Sequence, residues 1–295
     1  MLDSSRSRAG LAAAIIAAFA FGVNTVAAKA SATLGVSAPL IVFYRLLAML
    51  AVVVVAIIVT RGSIKTTRDS IPAMIVLIVT NAGMGLAYLS SVAFIPVTVA
   101  AVIFYTYPIL IVLAGPMATG RSLQPRELIV SFIAFAGIIL VVGPSFGALD
   151  PRGLALALLG SAITACQFFA ANRVAGESTT AKLFWGTLGA LPIAGAVLAA
   201  TTGFAGPQAL TLAPTPVAIT IVGYVIGSVG LIVSLSRLNA AVAGLVFCLE
   251  PVISALVSAA WLDERLTSVQ YAGGALVICA VIATTFAPTR ALKPA

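Results

Sequence analysis

Histidine is absent from this 295-residue sequence, and charged residues make up only 8% of it. The lack of histidine removes the commonest general base and metal ligand. A soluble domain carries about 25% charged residues, whereas 61% of this chain is hydrophobic. A soluble core of this size could not bury so much apolar surface. The scarcity of charge therefore predicts a protein whose solvent is the lipid bilayer.

Cysteine is also scarce. Cys166, Cys248 and Cys279 lie inside apolar runs and are spaced too widely for a local metal site, so we interpret them as packing residues. The sequence contains no H-E-x-x-H motif and no ATP-binding P-loop. It therefore lacks the motifs that metal-dependent hydrolysis and ATP-driven chemistry require. We therefore expect no enzymatic activity, no cofactor and no bound metal.

Long apolar runs are the main feature that is present. A membrane-spanning helix needs about 20 mostly apolar residues. Ten runs meet this requirement: 11–30, 39–60, 71–93, 97–118, 127–143, 153–172, 182–201, 216–236, 240–261 and 267–286. The connections between them are short. The sequence thus predicts an all-α membrane protein with ten transmembrane helices.

Basic residues predict the orientation of these helices. The net charge of +8 would suggest nucleic acid in a soluble protein, but here the basic residues lie between apolar runs. Cytoplasmic loops carry an excess of Lys and Arg. A cytoplasmic N-terminus places twelve of the sixteen basic residues inside: Arg6, Arg8, Arg61, Lys65, Arg68, Arg121, Arg126, Arg173, Lys182, Arg237, Arg290 and Lys293. We therefore predict the cell inner membrane, both termini cytoplasmic and no nucleic-acid partner.

Two details of this topology leave alternatives. Lys29 and Arg45 are expected near the outer ends of the first two helices, either capturing anions or extending to the lipid headgroups. The first run, with Arg6, Arg8 and Ala28-Lys29-Ala30, also fits a secretory signal. It is long for such a signal and has a counterpart in the second half, so we favour a transmembrane helix.

An internal repeat divides the chain. A shift of 143 residues places Phe104 on Phe247 and Pro108 on Pro251, and the same shift relates all five helices of each half. Because each half has an odd number of spans, the second enters the membrane from the opposite side. We predict two inverted five-helix repeats, residues 1–147 and 148–295, around a central cavity at their interface.

Polar residues at repeat-related depths predict the lining of that cavity. The shift pairs Asn24 with Gln167, Asn81 with Tyr224 and Tyr107 with Glu250. Polar groups at membrane depth face the bundle interior, because lipid offers no hydrogen-bond partner. The predicted cavity residues are Phe21, Asn24, Tyr44, Asn81, Tyr88, Tyr107, Gln167, Phe168, Tyr224 and Glu250.

Each of these predictions has a structural alternative. The amides can bond one another across helices instead of a substrate, and a tyrosine near a helix end can anchor the protein at the membrane interface. Glu250 can attract cations or carry protons, or it can bond backbone freed by Pro251. Pro108 and Pro251 are hinge candidates, or fixed kinks of the kind common in membrane helices.

The sequence resembles the EamA-type exporters of the drug/metabolite transporter superfamily over nearly its whole length. The resemblance is carried by Phe43-Tyr44-Arg45, Tyr107-Pro108, Glu250-Pro251 and Asp263-Glu264-Arg265-Leu266. In the first half, Gly120-Arg121-Ser122 stands where the family has an acidic cluster. The family exports amino acids, other small metabolites and organic cations from bacteria, and the exporters of amino acids, including aromatic ones, are the most similar.

The resemblance and the polar pairs together predict an exporter of small amphipathic metabolites, foremost amino acids, that works by alternating access. Organic cations or drugs are an alternative. An exchanger of phosphorylated sugars or nucleotide-sugars needs basic groups in the cavity, and we expect none deep in a span. Proton exchange through Glu250 and downhill export are both compatible with the sequence. The expected partners are a small-molecule substrate and the bilayer, and we expect a monomer.

Overall fold

The computed structural model describes residues 2–92, 94–120, 122–143, 149–201, 206–262 and 265–285. All regular structure in these ranges is helical. The helices in chain order are α1 (Leu2–Thr33), α2 (Ala38–Thr60), α3 (Ile71–Ser91), α4 (Val97–Phe104), α5 (Tyr107–Thr119), α6 (Pro125–Val142), α7 (Pro151–Arg173), α8 (Thr179–Thr201), α9 (Pro214–Leu235), α10 (Ala240–Phe247), α11 (Leu249–Trp261) and α12 (Ser268–Thr285). Arg121, Asp263, Glu264, Arg290, Lys293 and the predicted repeat boundary at 147/148 lie outside the described residues.

Ten membrane spans account for these twelve helices. Nine spans are long and apolar enough to cross a bilayer, with α4 and α5 forming one of them and α10 and α11 another. The tenth, α12, has 18 residues, which is within the range of about 17 to 25 that can span the hydrocarbon. Large apolar side chains such as Ile58, Val59 and Met117 are exposed on the outside of the bundle. The predicted fold class of an all-α membrane protein is confirmed.

The spans that contain Pro108 and Pro251 are each interrupted just before that proline. In the first, a short 3-10 turn at Tyr105 and Thr106 separates α4 from α5, and the Thr106 amide donates to Ile103 O at 3.1 Å. Pro108 is then the second residue of α5, and Pro251 is the third residue of α11. Proline is tolerated in a first turn because the N–H that it lacks has no intrahelical partner there.

The two halves of the chain are inverted copies of each other. The 143-residue shift carries α4 onto α10 and α6 onto α12 with the same first and last positions. Near the start of α6, the guanidinium of Arg126 donates to Ala283 O near the end of α12 at 2.9 Å. The amide of Gln270 near the start of α12 donates to Val141 O near the end of α6 at 3.0 Å. The repeat-related pair is therefore antiparallel.

The helices pack into two bundles that each mix both halves. The most extensive contacts are those of α1 with α9 and of α3 with α7, and the repeat relates these two pairs. We call the group α1, α9, α10 and α11 the first bundle, and the group α3, α4, α5, α7 and α8 the second bundle; α2 packs between them, against α8 and α9, and α6 and α12 pack against each other. The α1–α9 contact is close because Gly230 has no side chain; a Cβ there would lie 2.8 Å from Ala13 O. The interface between the bundles crosses the centre of the molecule.

One end of the molecule holds the connection 61–67 and the connection 174–178, and we call it the basic end because it carries Arg61, Lys65 and Arg173. The two connections contact each other there: Ser178 Oγ donates to Ser63 O at 2.7 Å. At the opposite end, α2 packs against α8 and α9 through an apolar cluster that includes Val36, Leu40, Leu198 and Ala213. The central site lies between these two ends.

Candidate functional site

A continuous chain of aromatic rings runs through the interface between the bundles. Successive ring centroids are 5.1 to 6.5 Å apart, within the range that favours aromatic pairs. The rings are those of Tyr88, Phe104, Tyr107, Phe168, Phe247, Phe21 and Tyr224, with Tyr105 packed beside Phe104 and Tyr107. Five predicted cavity residues belong to this chain: Phe21, Tyr88, Tyr107, Phe168 and Tyr224.

Phe21 joins the chain because α9 has no side chain at position 227, where the ring packs against the helix. A Cβ on Gly227 would lie 2.6 Å from the Phe21 ring, so only glycine leaves room for the ring at this position. The Phe21 centroid is 6.5 Å from that of Tyr224 and 6.2 Å from that of Phe247. Gly227 therefore permits both the close contact between α1 and α9 and the position of the Phe21 ring in the aromatic chain.

Glu250 lies beside this aromatic chain, in the first turn of α11 and just after the end of α10. Its carboxyl group contacts the hydroxyls of Tyr105 and Thr25. One turn later, Ser254 Oγ donates to Gly22 O at 3.0 Å, which fastens α11 to α1. Tyr105 belongs to the second bundle and Glu250 to the first, so this acidic group links the two bundles at mid-depth.

Asn81 and Gln167 bond to each other. Gln167 Nε2 donates to Asn81 Oδ1 at 3.3 Å, and Asn81 Nδ2 donates to Gly186 O at 3.0 Å. This joins α3, α7 and α8 within the second bundle. The two amides border a central pocket of about 40 Å³ that Tyr224 and Ser228 also line. Such a volume suits about one water molecule, far less than the roughly 300 Å³ or more of a ligand pocket.

The remaining two predicted residues lie on either side of this centre. Asn24 is 7% exposed and packs against α9, where a Cβ on Gly223 would lie 3.0 Å from Asn24 Cβ. Tyr44 stacks edge-on against Phe43, with centroids 5.6 Å apart, and packs with the apolar cluster at the opposite end. The structure thus brings nine of the ten residues to the bundle interface or its borders and places Tyr44 with the end cluster.

Lys182 is a buried residue that the sequence placed in a connection. It lies in the first turn of α8 and is 1% exposed. Its Nζ donates to Ser236 Oγ at 2.6 Å and to Val174 O at 3.2 Å. Ser178 begins this helix as a cap, accepting from the Ala181 amide at 3.1 Å. The serine was the sequence signal for an earlier helix start, since serine is a preferred N-cap.

Arg45 corrects a second expectation. It does not lie at a helix end: it is the eighth residue of α2, about 10 Å into the helix. Its guanidinium carbon is 4.5 Å from the ring centroid of Tyr224, the eleventh of the 22 residues of α9. Counting from Pro39, which stands just inside the helix start, would have given this depth. The prediction that no basic residue lies deep in a span is therefore wrong.

Polar bonds close the basic end between the two bundles. They are Lys182 Nζ to Ser236 Oγ at 2.6 Å, and Asn172 Nδ2 to Leu235 O at 2.7 Å and to Leu238 O at 2.8 Å. Two further bonds at this end hold the connection 61–67: Trp185 Nε1 donates to Ile64 O at 3.0 Å, and Thr67 Oγ1 donates to Glu177 Oε1 at 2.6 Å. This bond, with others from Ser70 and the Thr67 amide, holds the pKa of Glu177 below its usual value.

Comparison with protein families identifies the repeat unit. A model of the EamA-like transporter family matches residues 8–143 and, a second time, residues 151–286. The chain belongs to the EamA-like transporter family. The two matches begin 143 residues apart and end 143 residues apart, so each inverted half is one EamA module. Members of the family transport small substrates across membranes, and this EamA-like transporter is a multi-pass membrane protein.

Solved structures share the fold of this EamA-like transporter. Matches are found to 29 chains. One of them is the crystal structure of a protein whose description names no function. It superposes on this chain with a TM-score of 0.77 at 19% sequence identity, and the match covers 96% of each chain. At that identity, the likeness shows the fold alone. A search of curated proteins finds no match.

Proposed function

We propose that this EamA-like transporter exports small amphipathic metabolites, foremost amino acids, across the cell inner membrane by alternating access. The observation that carries the proposal is the aromatic chain beside Glu250 at the bundle interface. Apolar and aromatic walls solvate the side chain of such a solute. A carboxylate next to hydroxyls offers acceptors for an ammonium group.

In the proposed mechanism, the two bundles move relative to each other. Alternating access requires that each end of the central site open in turn. In this structure, the basic end is closed by hydrogen bonds that cross from one bundle to the other, such as Lys182 to Ser236. We propose that this end faces the cytoplasm together with both termini, because Lys and Arg concentrate in cytoplasmic loops. Breaking these bonds would open the site to the cytoplasm.

Two other substrate classes fit the site less well. Organic cations share the need for Glu250 and the aromatic rings but would leave Arg45 facing a like charge. A sugar phosphate calls for several basic groups. Arg45 is one, but the other buried base, Lys182, already donates to Ser236 and Val174. Arg45 together with Glu250 suits a zwitterion better than either ion alone.

The experiment is transport by the purified protein in proteoliposomes. Uptake of radiolabelled L-phenylalanine, L-leucine, phenethylamine and glucose 6-phosphate is measured with and without a pH gradient. We expect uptake of the amino acids above that of protein-free vesicles, and the effect of the gradient distinguishes proton exchange from downhill movement. Uptake of glucose 6-phosphate or phenethylamine, with neither amino acid transported, would contradict the proposed substrate class.

A further inference from the structure

Two buried polar atoms beside α9, near the Tyr224 end of the aromatic chain, have no hydrogen-bond partner within the described part of the chain. They are Oδ1 of Asn24 and Nε of Arg45. Leaving such an atom unpaired away from water costs stability. One of the two is an acceptor and the other is a charged donor, so together they match a ligand that carries both an anionic and an N–H-bearing group.

Both residues are held against the same segment of α9. Arg45 lies over the Tyr224 ring, with its guanidinium carbon 4.5 Å from the ring centroid. Asn24 packs on the preceding residue, Gly223. Phe21, one turn before Asn24 on α1, also contacts the Tyr224 ring. The unpaired atoms therefore belong to one place in the fold, next to one end of the aromatic chain.

A purely structural role does not account for Arg45. Lysine and arginine side chains that extend to the headgroups do so from helix ends, whereas this guanidinium lies over a ring at the middle of α9. Among the described residues, Arg45 forms no ion pair. An intramembrane cation with no protein anion is expensive and marks a functional site. Stacking on Tyr224 leaves the edge of the guanidinium available to a carboxylate.

We propose that Arg45 binds the carboxylate of the transported solute while Asn24 Oδ1 accepts an N–H from its amino group. Tyr224 holds the guanidinium in place and packs against the solute between the two groups. The inference rests on the proposed function and goes further: it assigns a carboxylate subsite to a residue of α2, and it requires that the solute be zwitterionic.

Three probes that share a phenyl ring separate the two groups. L-phenylalanine carries both charges, phenethylamine lacks the carboxylate and 3-phenylpropionate lacks the amine. Equilibrium binding of each is measured to the protein in nanodiscs, for the wild type, Arg45→Gln and Asn24→Leu. Arg152→Gln is the matched control, because Arg152 also lies over a ring, 4.7 Å from the Phe94 centroid, but at an exposed helix start.

The expected result is opposite for the two variants. Arg45→Gln weakens binding of L-phenylalanine and 3-phenylpropionate by about tenfold or more, the loss of a charged hydrogen bond, and leaves phenethylamine within twofold. Asn24→Leu weakens L-phenylalanine and phenethylamine and spares 3-phenylpropionate. Unchanged phenethylamine binding shows that Arg45→Gln is folded; if that variant does not accumulate, Asn24→Leu decides alone.

Two failures are distinguishable. In the first, the wild type binds L-phenylalanine, and Arg45→Gln either binds all three probes as the wild type does or binds all three more weakly by the same factor. The carboxylate subsite is then wrong, and the proposed function stands. If the wild type binds none of the probes and transports no amino acid, the proposed substrate class is wrong, and the subsite falls with it.

Discussion

Removing the hydroxyl of Ser236 should weaken closure of the basic end. Ser236 Oγ accepts from Lys182 Nζ at 2.6 Å and donates to Ile232 O at 2.8 Å. The first bond joins α8 of the second bundle to the end of α9 in the first. The second lies within one helix turn and does not depend on how the bundles are arranged. Ser236→Ala removes both, but only the first should favour the closed state.

The size of the effect follows from the type of bond. A hydrogen bond with a charged donor contributes about 1.5 to 3 kcal/mol. In Ser236→Ala, the carbonyls of Val174 and Ala175 still accept from Lys182 Nζ, at 3.2 and 3.5 Å. We therefore take the lower figure, about 1.5 kcal/mol, which shifts the equilibrium between closed and open states by about tenfold.

Cysteine labelling measures that shift. Ser228 lines the central pocket, so a Ser228→Cys reporter is placed in a chain whose own three cysteines are replaced. A membrane-impermeant thiol reagent is added on the side of the basic end. We expect labelling about tenfold faster in Ser236→Ala. Ser131→Ala is the matched control, because its buried hydroxyl makes only an intrahelical bond, to Glu127 O at 2.8 Å. Equal labelling rates in the two variants would refute the role of the bond in closure.

Further predictions concern charge and the interrupted spans. Glu250→Gln should reduce transport of zwitterionic and cationic solutes in proteoliposomes, with Glu127→Gln as the control; an unchanged rate would leave Glu250 with a structural role. Pro108→Ala or Pro251→Ala restores an N–H that can bond the carbonyl four residues earlier, which should join the two segments of the span and slow transport; unaltered cysteine accessibility from both sides would remove the hinge hypothesis. Because hydrogen bonds from Thr67 and Ser70 lower the folded pKa of Glu177, the stability that these bonds contribute is present at neutral pH and is lost as the pH falls through that lowered pKa; the melting temperature should fall there in the wild type, and an equal fall in Glu177→Gln would contradict this.

Much of the fold could be predicted from the sequence because a bilayer imposes simple rules. A span needs a long apolar run, and a five-helix repeat must invert. The 143-residue shift accordingly gave the bounds of α4 and α10 relative to each other. Which helices pack against each other could not be predicted. No pattern in α1 indicates that α9 rather than a sequence neighbour covers it.

The site could be predicted in part for a related reason. Depth follows from counting residues, so Phe21, Tyr107 and Glu250 were recognised as central. One error came from a helix start, because α8 begins before Lys182. The other did not, because α2 spans Ala38–Thr60 much as its apolar run predicts, and counting from Pro39 already places Arg45 well inside the helix. The hydrogen bond between Asn81 and Gln167 depends on the distance between α3 and α7, which a sequence does not contain.

The interleaving of the two bundles has a consequence for biosynthesis. The helix that packs most extensively on α1 begins only at Pro214. At about 5 to 20 residues per second, the ribosome takes on the order of 10 to 40 s after finishing α1 to reach it. During that time, Ala13, Ala17 and Ala20, the small residues of α1 on which α9 packs, face lipid or the translocation machinery. A ribosome that stalls after the first EamA module would leave a membrane-inserted fragment without its main packing partner, and such a fragment is a natural target for membrane proteases.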